Sequence, residues 1–381
     1  MATAPSQKPK DLFLLEGINI LSFNNDYTQV ALSKKDNIIY IYSVPNLLKT
    51  DTWKLLHKLD SHYQYISGLD WCHATNRILS CSYDKTSFVW DLIDNKWIPS
   101  NVVFTTKLGY LCCKWNKRGD KFCEGTSAKQ ILVGYYNQET KWWMGQNVKE
   151  EKKKDKKEKS VKMHRSSVVT CEIDPTSLYV ISGSTDLRVF VSSCYIPEID
   201  DAFLTEETKS MVAPFGQVIY EFRENSWINS VTWLPNVKLG LAAGQDSIIL
   251  VINPFEQKEE IIRCKHSPVT MLIPKDEKSF FAVCYDRNIL EYEKKDDTWV
   301  IKKTITAQKE GADNKAKTQL GGSVTVALLR FQKMQEIKKE NLAVATKQAS
   351  HLHKSIISSC NIIGQDMITT DVSGFVKYWK L

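Results

Sequence analysis

Three histidines stand at a near-constant distance ahead of an aspartate. His62 precedes Asp84 by 22 residues, His164 precedes Asp186 by 22, and His266 precedes Asp286 by 20. An imidazole held by a carboxylate is the acid–base half of many hydrolytic sites, so each pair has the chemistry to move protons. Each pair also recurs in one frame. An apolar strand, a polar turn and a second strand separate His from Asp, as in "YISGLDWCHATNRILSCS" and "VVTCEIDPTSLYVISGS". An alternating apolar strand follows the Asp, and in the first copy it ends in Trp90. Chemistry repeated with the period of the chain is scaffold chemistry. A His on the loop entering one strand and an Asp in the next tight turn lock the turn through shared hydrogen bonds, with Trp90 packed beside them. These residues are assigned a structural role, and no catalytic residue is expected.

The frame itself names the elements that carry these pairs. Further copies centre on Asp36 in "ALSKKDNIIYIYS" and Asp246 in "AAGQDSIILVIN". "GYLCCKWNKRGDKFCEGTSAKQILVGYY" keeps the rhythm without the Asp. The last copy has His353 and Trp379, with Ser373 at the place of the Asp and Asp371 displaced by two. It is expected to have lost its turn Asp. A period of about 40 to 50 residues in short strands is the pattern of a WD-repeat β-propeller. The expected fold is all-β: a seven-bladed propeller over residues 1–381 as one domain. The chain ends after the third strand of the last copy, and the apolar stretch 11–16, "DLFLLE", is expected to close that blade as its outer strand.

Two segments break the period. Residues 302–351 begin as polar chain and continue as "VTVALLRFQKMQEIKKENLAVATKQ". There Ala327, Leu328, Phe331 and Met334 fall at helical spacing, with Ser323 placed to cap. This predicts one inserted amphipathic helix over about 324–340, between the sixth and seventh blades. Physics leaves two readings open: a partner-binding helix, or a helix docked on its own domain. The second segment, 149–162, holds eight Lys against four acids, which is +4 of the net +7. It reads as a solvated loop or, through Lys152, Lys153 and Lys154, as a dock for an acidic partner. Just before it, Trp142 and Trp143 are expected at the surface as possible partner contacts.

The remainder of the chain is close to neutral, which speaks against a nucleic-acid partner. No apolar run approaches the roughly 18 residues of a membrane span, so no membrane partner is expected. The ten cysteines contain no Cys-x-x-Cys pair and read as small buried side chains in a reducing cytosol. Phosphate-binding, nucleophile-elbow and zinc-protease motifs are absent from the sequence, and His351 with His353 falls short of a metal signature. No cofactor and no metal are expected. The reading from a different class is a WD-repeat adaptor of another assembly, such as a ubiquitin ligase or an RNA-processing machine.

Several stretches carry more than the generic repeat. "YYNQETKWWM" (135–144), "NRILSCSYDKTSFVW" (76–90), "MVAPFGQVIYEF" (211–222) and "RFQKM" followed by "LHKSIIS" resemble the WD-repeat subunit family (subunit 1) of the actin-related protein 2/3 complex. The resemblance runs from about Phe13 to Trp379. It implies a non-catalytic structural subunit that supports nucleation of branched actin filaments in the cytoplasmic actin cytoskeleton. It implies contacts with actin-related protein 2, with the smaller subunits, and with acidic activator tails. The insert with Leu328, Arg330, Phe331 and Met334 matches the family's protruding helix, which is thought to engage the actin filament.

Overall fold

Alternating side chains give each strand two faces, and in this chain both faces of most inner strands are apolar or small. Such strands need cover on both sides. Stacking sheets around a ring supplies it. The computed structural model describes residues 12–13, 17–102, 104, 106–148, 163–235, 238–305, 353 and 355–381. Within these, 28 strands form seven antiparallel sheets of four. Six blades are each one continuous meander, at 20–59, 66–101, 110–147, 168–223, 228–263 and 269–305. The seventh combines Ile357–Ile363, Asp366–Asp371 and Phe375–Lys380 with Leu12–Phe13.

Burial follows position within a blade. In five blades the second strand is buried along its whole length, as in Tyr179–Ser184 and Ser279–Cys284, and in blades 1 and 7 all but its first residue is. They are rich in Gly, Ala, Ser and Cys because neighbouring blades press on both faces. The outer strand Lys258–Arg263 is almost wholly exposed and accordingly charged. The apolar core is divided into seven clusters, one between each pair of adjacent blades.

Polar ties cross the same seams. In blades 2 to 7 the first strand is bulged at its second residue, where the pairing register shifts. A bulge re-aims the side chain it carries. Ser67 thereby donates to the carbonyl of Tyr110 in the next blade at 2.7 Å, and Asn229 to that of Val269 at 2.8 Å. Further in, Asp70 accepts from the Trp115 backbone N–H at 2.8 Å. The last seam is held the same way. Ser358 donates to the Ile18 carbonyl at 3.1 Å, while Leu12 and Phe13 pair with Val376 and Phe375.

Blade 4 keeps the meander but has a long last connection. Between its third strand, Arg188–Ser193, and its fourth, Val218–Arg223, the chain makes the helical turns Pro197–Asp200, Asp201–Phe203 and Glu206–Lys209. The sequence carries no periodic signal for them. "VIYEF" belongs to the outer strand of this blade. A buried ion cluster anchors the excursion. Asp200 receives Lys121 Nζ at 2.6 Å and Arg118 Nη2 at 2.5 Å, and Lys121 also donates to the carbonyls of Ser177 and Cys194. Lys121 and Asp200 are both fully buried. The expected inserted helix, 324–340, lies outside the described residues, as do the segment 149–162 and the rest of the 11–16 stretch beyond Leu12–Phe13.

Candidate functional site

The His–Asp pairs form as the spacing predicts, and more residues join them. In blade 2, His62 Nδ1 lies 3.2 Å from Asp84 and 2.9 Å from Thr86 Oγ1, and Nε2 lies 2.9 Å from Ser80 Oγ. Trp90 Nε1–H donates to the same Ser80 oxygen at 2.9 Å. A carboxylate can only accept, so the histidine proton belongs on Nδ1 facing Asp84, and Nε2 accepts from the Ser80 hydroxyl. Asp84 also accepts the backbone N–H of Tyr63 and of Thr86 at 2.7 and 2.8 Å. Burial alone would raise this carboxyl. The hydrogen bonds from His62, Thr86 and Tyr63 outweigh it and hold Asp84 well below the usual carboxylate range.

Ser80, His62 and Asp84 thus reproduce the connectivity of a hydrolase triad. The hydroxyl is fully buried under Trp90, and His62 is almost as deeply enclosed, so no substrate reaches the nucleophile. The arrangement is a clamp. The residue after the Asp adopts a left-handed backbone, φ 71° at Lys85 and at Leu187, and the carboxylate secures that turn by taking the N–H two residues on.

The other blades vary the clamp. In blade 4, His164 lies 3.2 Å from Asp186 and 3.0 Å from Ser182, but Ser192 stands where blade 2 has Trp90 and its hydroxyl has no hydrogen-bond partner among the described residues. In blade 6, His266 reaches Asp286 at 3.2 Å from a half-exposed position. Blade 5 has Glu224 at the position of the His, 22 residues before Asp246. Burial, with Asp246 nearby, raises the Glu224 carboxyl.

The last blade corrects an expectation. Asp371 is the working clamp residue. His353 Nδ1 lies 3.0 Å from Asp371, His353 Nε2 lies 2.6 Å from Thr369 Oγ1, and Trp379 Nε1–H donates to that hydroxyl at 2.7 Å. Asp371 also accepts the Phe375 N–H at 3.1 Å. A carboxylate at the end of the second strand, instead of in the turn, reaches the same imidazole because His353 is only 18 residues upstream. His353 is thereby enclosed in the blade.

Trp143 corrects another. It is 2% exposed, packed edge-on against Trp115 and tilted on Phe122, whereas Trp142 is 47% exposed. Adjacent residues of a strand point to opposite sides, so only one of the two indoles can face solvent. Leu328, Arg330, Phe331, Met334, Lys152, Lys153 and Lys154 lie outside the described residues. Among the described residues no group of three or more His, Cys, Asp or Glu side chains is arranged to hold a metal ion.

Comparison with known proteins extends the geometry. The WD domain, G-beta repeat family matches residues 53–91, the stretch that carries the complete clamp of blade 2. The chain is 28% identical to actin-related protein 2/3 complex subunit 1A of Arabidopsis thaliana, over 78% of its own length and 76% of the relative's. It is 26% identical to subunit 1A-B of that complex from Xenopus laevis, over 96% and 95%. This chain is a homologue of subunit 1 of the actin-related protein 2/3 complex. The same subunit of Schizosaccharomyces pombe is 22% identical over 75% of this chain. A match over 96% of this chain spans its seven blades and is not a product of one shared repeat.

Proposed function

We propose that this chain is the WD-repeat subunit of an actin-related protein 2/3 complex, where it acts as a non-catalytic structural part. The observation that carries this reading is the alignment with subunit 1A-B over 96% of this chain and 95% of the relative. The triad-like clamps of blades 2, 4 and 7 support it, because their hydroxyls at Ser80, Ser182 and Thr369 are fully buried. On this reading the chain works in the cytoplasmic actin cytoskeleton. It contacts actin-related protein 2 and the smaller subunits, and helps receive acidic activator tails. The insert residues Leu328, Arg330, Phe331 and Met334 supply a filament contact, and Trp142 with Lys152, Lys153 and Lys154 supply further partner contacts.

The test is a gentle affinity purification of the tagged chain from its own cells. Two actin-like subunits and a small set of further subunits at equal amounts are expected. Elution with RNA or with ligase components would overturn the reading. Within the purified complex, Phe331→Ala combined with Met334→Ala is expected to lower branch formation several-fold without changing subunit composition. Unchanged branching would remove the insert from the filament contact.

A further inference from the structure

The ten cysteines are all free, and eight of them are buried. The two that are part-exposed are Cys112 and Cys360. Cys112 lies on the first strand of blade 3, Tyr110–Trp115, just after the bulge that shifts its pairing. First strands are the innermost of each blade and meet one another around the axis, as Tyr110–Trp115 meets Val168–Ile173 of blade 4. Across that seam Cys112 Sγ lies 3.6 Å from Cys171 Sγ, so the two sulfur atoms are in contact. Cys123, fully buried on the second strand of blade 3, touches Cys171 as well.

The seam makes room for this pair. A Cβ on Gly125 would stand 2.7 Å from Cys112 Sγ and 2.6 Å from the Val168 carbonyl, so a glycine is required there for the thiol to lie between the blades. The two thiols are unequal. Contact with Cys112 and Cys123, together with burial, pushes the Cys171 thiol well up, so Cys171 keeps its proton. Cys112 is the member that a small solute reaches, and reactivity follows access. Closing 3.6 Å to a sulfur–sulfur bond takes a shift of about 1.5 Å, which rotation of one side chain supplies. The neighbouring seam holds a second pair for comparison. A Cβ on Gly68 would meet Cys81 Sγ at 2.6 Å and Cys113 Sγ at 2.8 Å, so those thiols share one gap between blades 2 and 3. Both are sealed, at 0% and 4% exposed.

We propose that the seam between blades 3 and 4 is a thiol latch: a hydroperoxide oxidises Cys112, and Cys171 then closes a disulfide that joins the two blades. In the first step the Cys112 sulfur attacks one oxygen of hydrogen peroxide. An S–O bond forms, the O–O bond breaks, and the thiol proton leaves with the other oxygen as water. The sulfur is oxidised by two electrons and the peroxide is reduced by two. In the second step the Cys171 sulfur attacks the sulfenic sulfur of Cys112. The S–S bond forms, the S–O bond breaks, and the Cys171 proton leaves with the hydroxide as water. A thiol reductant reopens the bond, in keeping with cytosolic disulfides that are transient and redox-sensing. Blades 3 and 4 follow one another along the chain through residues 149–162. The closed latch gives them a second covalent tie between residues 59 positions apart, and a closed loop of that length restrains the unfolded chain.

The test uses the full chain, purified from its own cells under reducing conditions with whatever subunits accompany it, and then freed of reductant. Hydrogen peroxide is added, the remaining thiols are blocked, and linked peptides are identified by mass spectrometry. The expected product joins Cys112 to Cys171 and disappears with dithiothreitol. The melting temperature of the chain is expected to rise by roughly 5 °C on oxidation and to return on reduction. Cys112→Ser is expected to abolish both changes. Cys113→Ala is expected to keep them, which assigns the link to the first of two adjacent thiols. In Cys171→Ser, Cys112 is expected to stay at the sulfenic acid and to be captured by dimedone. Recovery of wild-type Cys112 as the free thiol or as the sulfinic acid, with no link, overturns the proposal. A link from Cys81 to Cys113, or from Cys123 to Cys171, in place of the expected one overturns it too, because access would not select the thiol. A Cys112–Cys171 link that leaves the melting temperature unchanged also refutes the latch, since the blades would be joined without being restrained.

Discussion

At the scale of single residues, a carboxylate in this ring is defined by who faces it. Asp371 and Ser373 are two positions apart, and only Asp371 meets His353. Hydrogen bonds to a buried carboxylate are worth about 1.5 to 3 kcal/mol each, whereas a part-buried hydroxyl contact such as Ser373 to Ser355 is worth about 1 kcal/mol. Asp371→Ala is therefore expected to destabilise the chain several times more than Ser373→Ala in denaturant titration; the reverse order would return the clamp role to Ser373. Asp84, Asp186 and Asp371 are all held low by their histidines and backbone donors. Their contribution is present above the ordinary Asp value and is lost as pH falls through their depressed values. Glu124 behaves in the opposite sense. Fully buried, with Ser87 donating to one oxygen and no partner for Oε2 among the described residues, its carboxyl is pushed up to about 8 from an ordinary 4.5. Between those values the folded chain keeps a proton that the unfolded chain has released, so stability falls as pH rises through that window. Glu124→Gln is expected to be more stable than the parent at pH 8, by a margin that shrinks toward pH 4.5. Parallel pH–stability curves would show that Glu124 is ionised in the fold.

At the scale of elements, the helical turns of blade 4 are held by charge. Asp200 is their buried polar tether: it meets Lys121 and Arg118 of blade 3 and accepts the Ile196 N–H at 2.8 Å. The sequence offers no signal for this pairing, because Lys121 sits 79 residues from Asp200 and reads as a surface lysine. Asp200→Ala leaves Lys121 buried without its anion. A cost of about 3 to 5 kcal/mol is expected, and protease cleavage should appear within 197–209 before the ring unfolds. Replacing Lys121 and Asp200 together by apolar residues should cost less than Asp200→Ala alone. Equal costs would show that the pair does not act as a unit.

At the scale of the molecule, stability depends on closing a circle. The strand Leu12–Phe13 covers the outer edge of blade 7, and the seam from blade 7 to blade 1 uses Ile368, Val376, Leu21, Phe23 and Trp53. A ring opened at one seam exposes apolar surface and a strand edge together. Deleting residues 1–17 is expected to lower the melting temperature and broaden the transition; a truncated chain melting as the parent does would show that the seam core alone closes the ring.

The sequence by itself determined the blade count, the strand order and the pairs His62–Asp84, His164–Asp186 and His266–Asp286. All of these are periodic, and a period survives in one dimension. The tertiary structure decided what depends on distance between remote residues or on the direction of a side chain. It chose Asp371 over Ser373, buried Trp143 while exposing Trp142, and joined Lys121 to Asp200. It also gathered Tyr63, Tyr83, Trp227 and Tyr285 on one face. The physical reason is that a closed ring brings loops many residues apart to one plane, and which side chain of a strand faces the core is settled only when the neighbouring blade is in place.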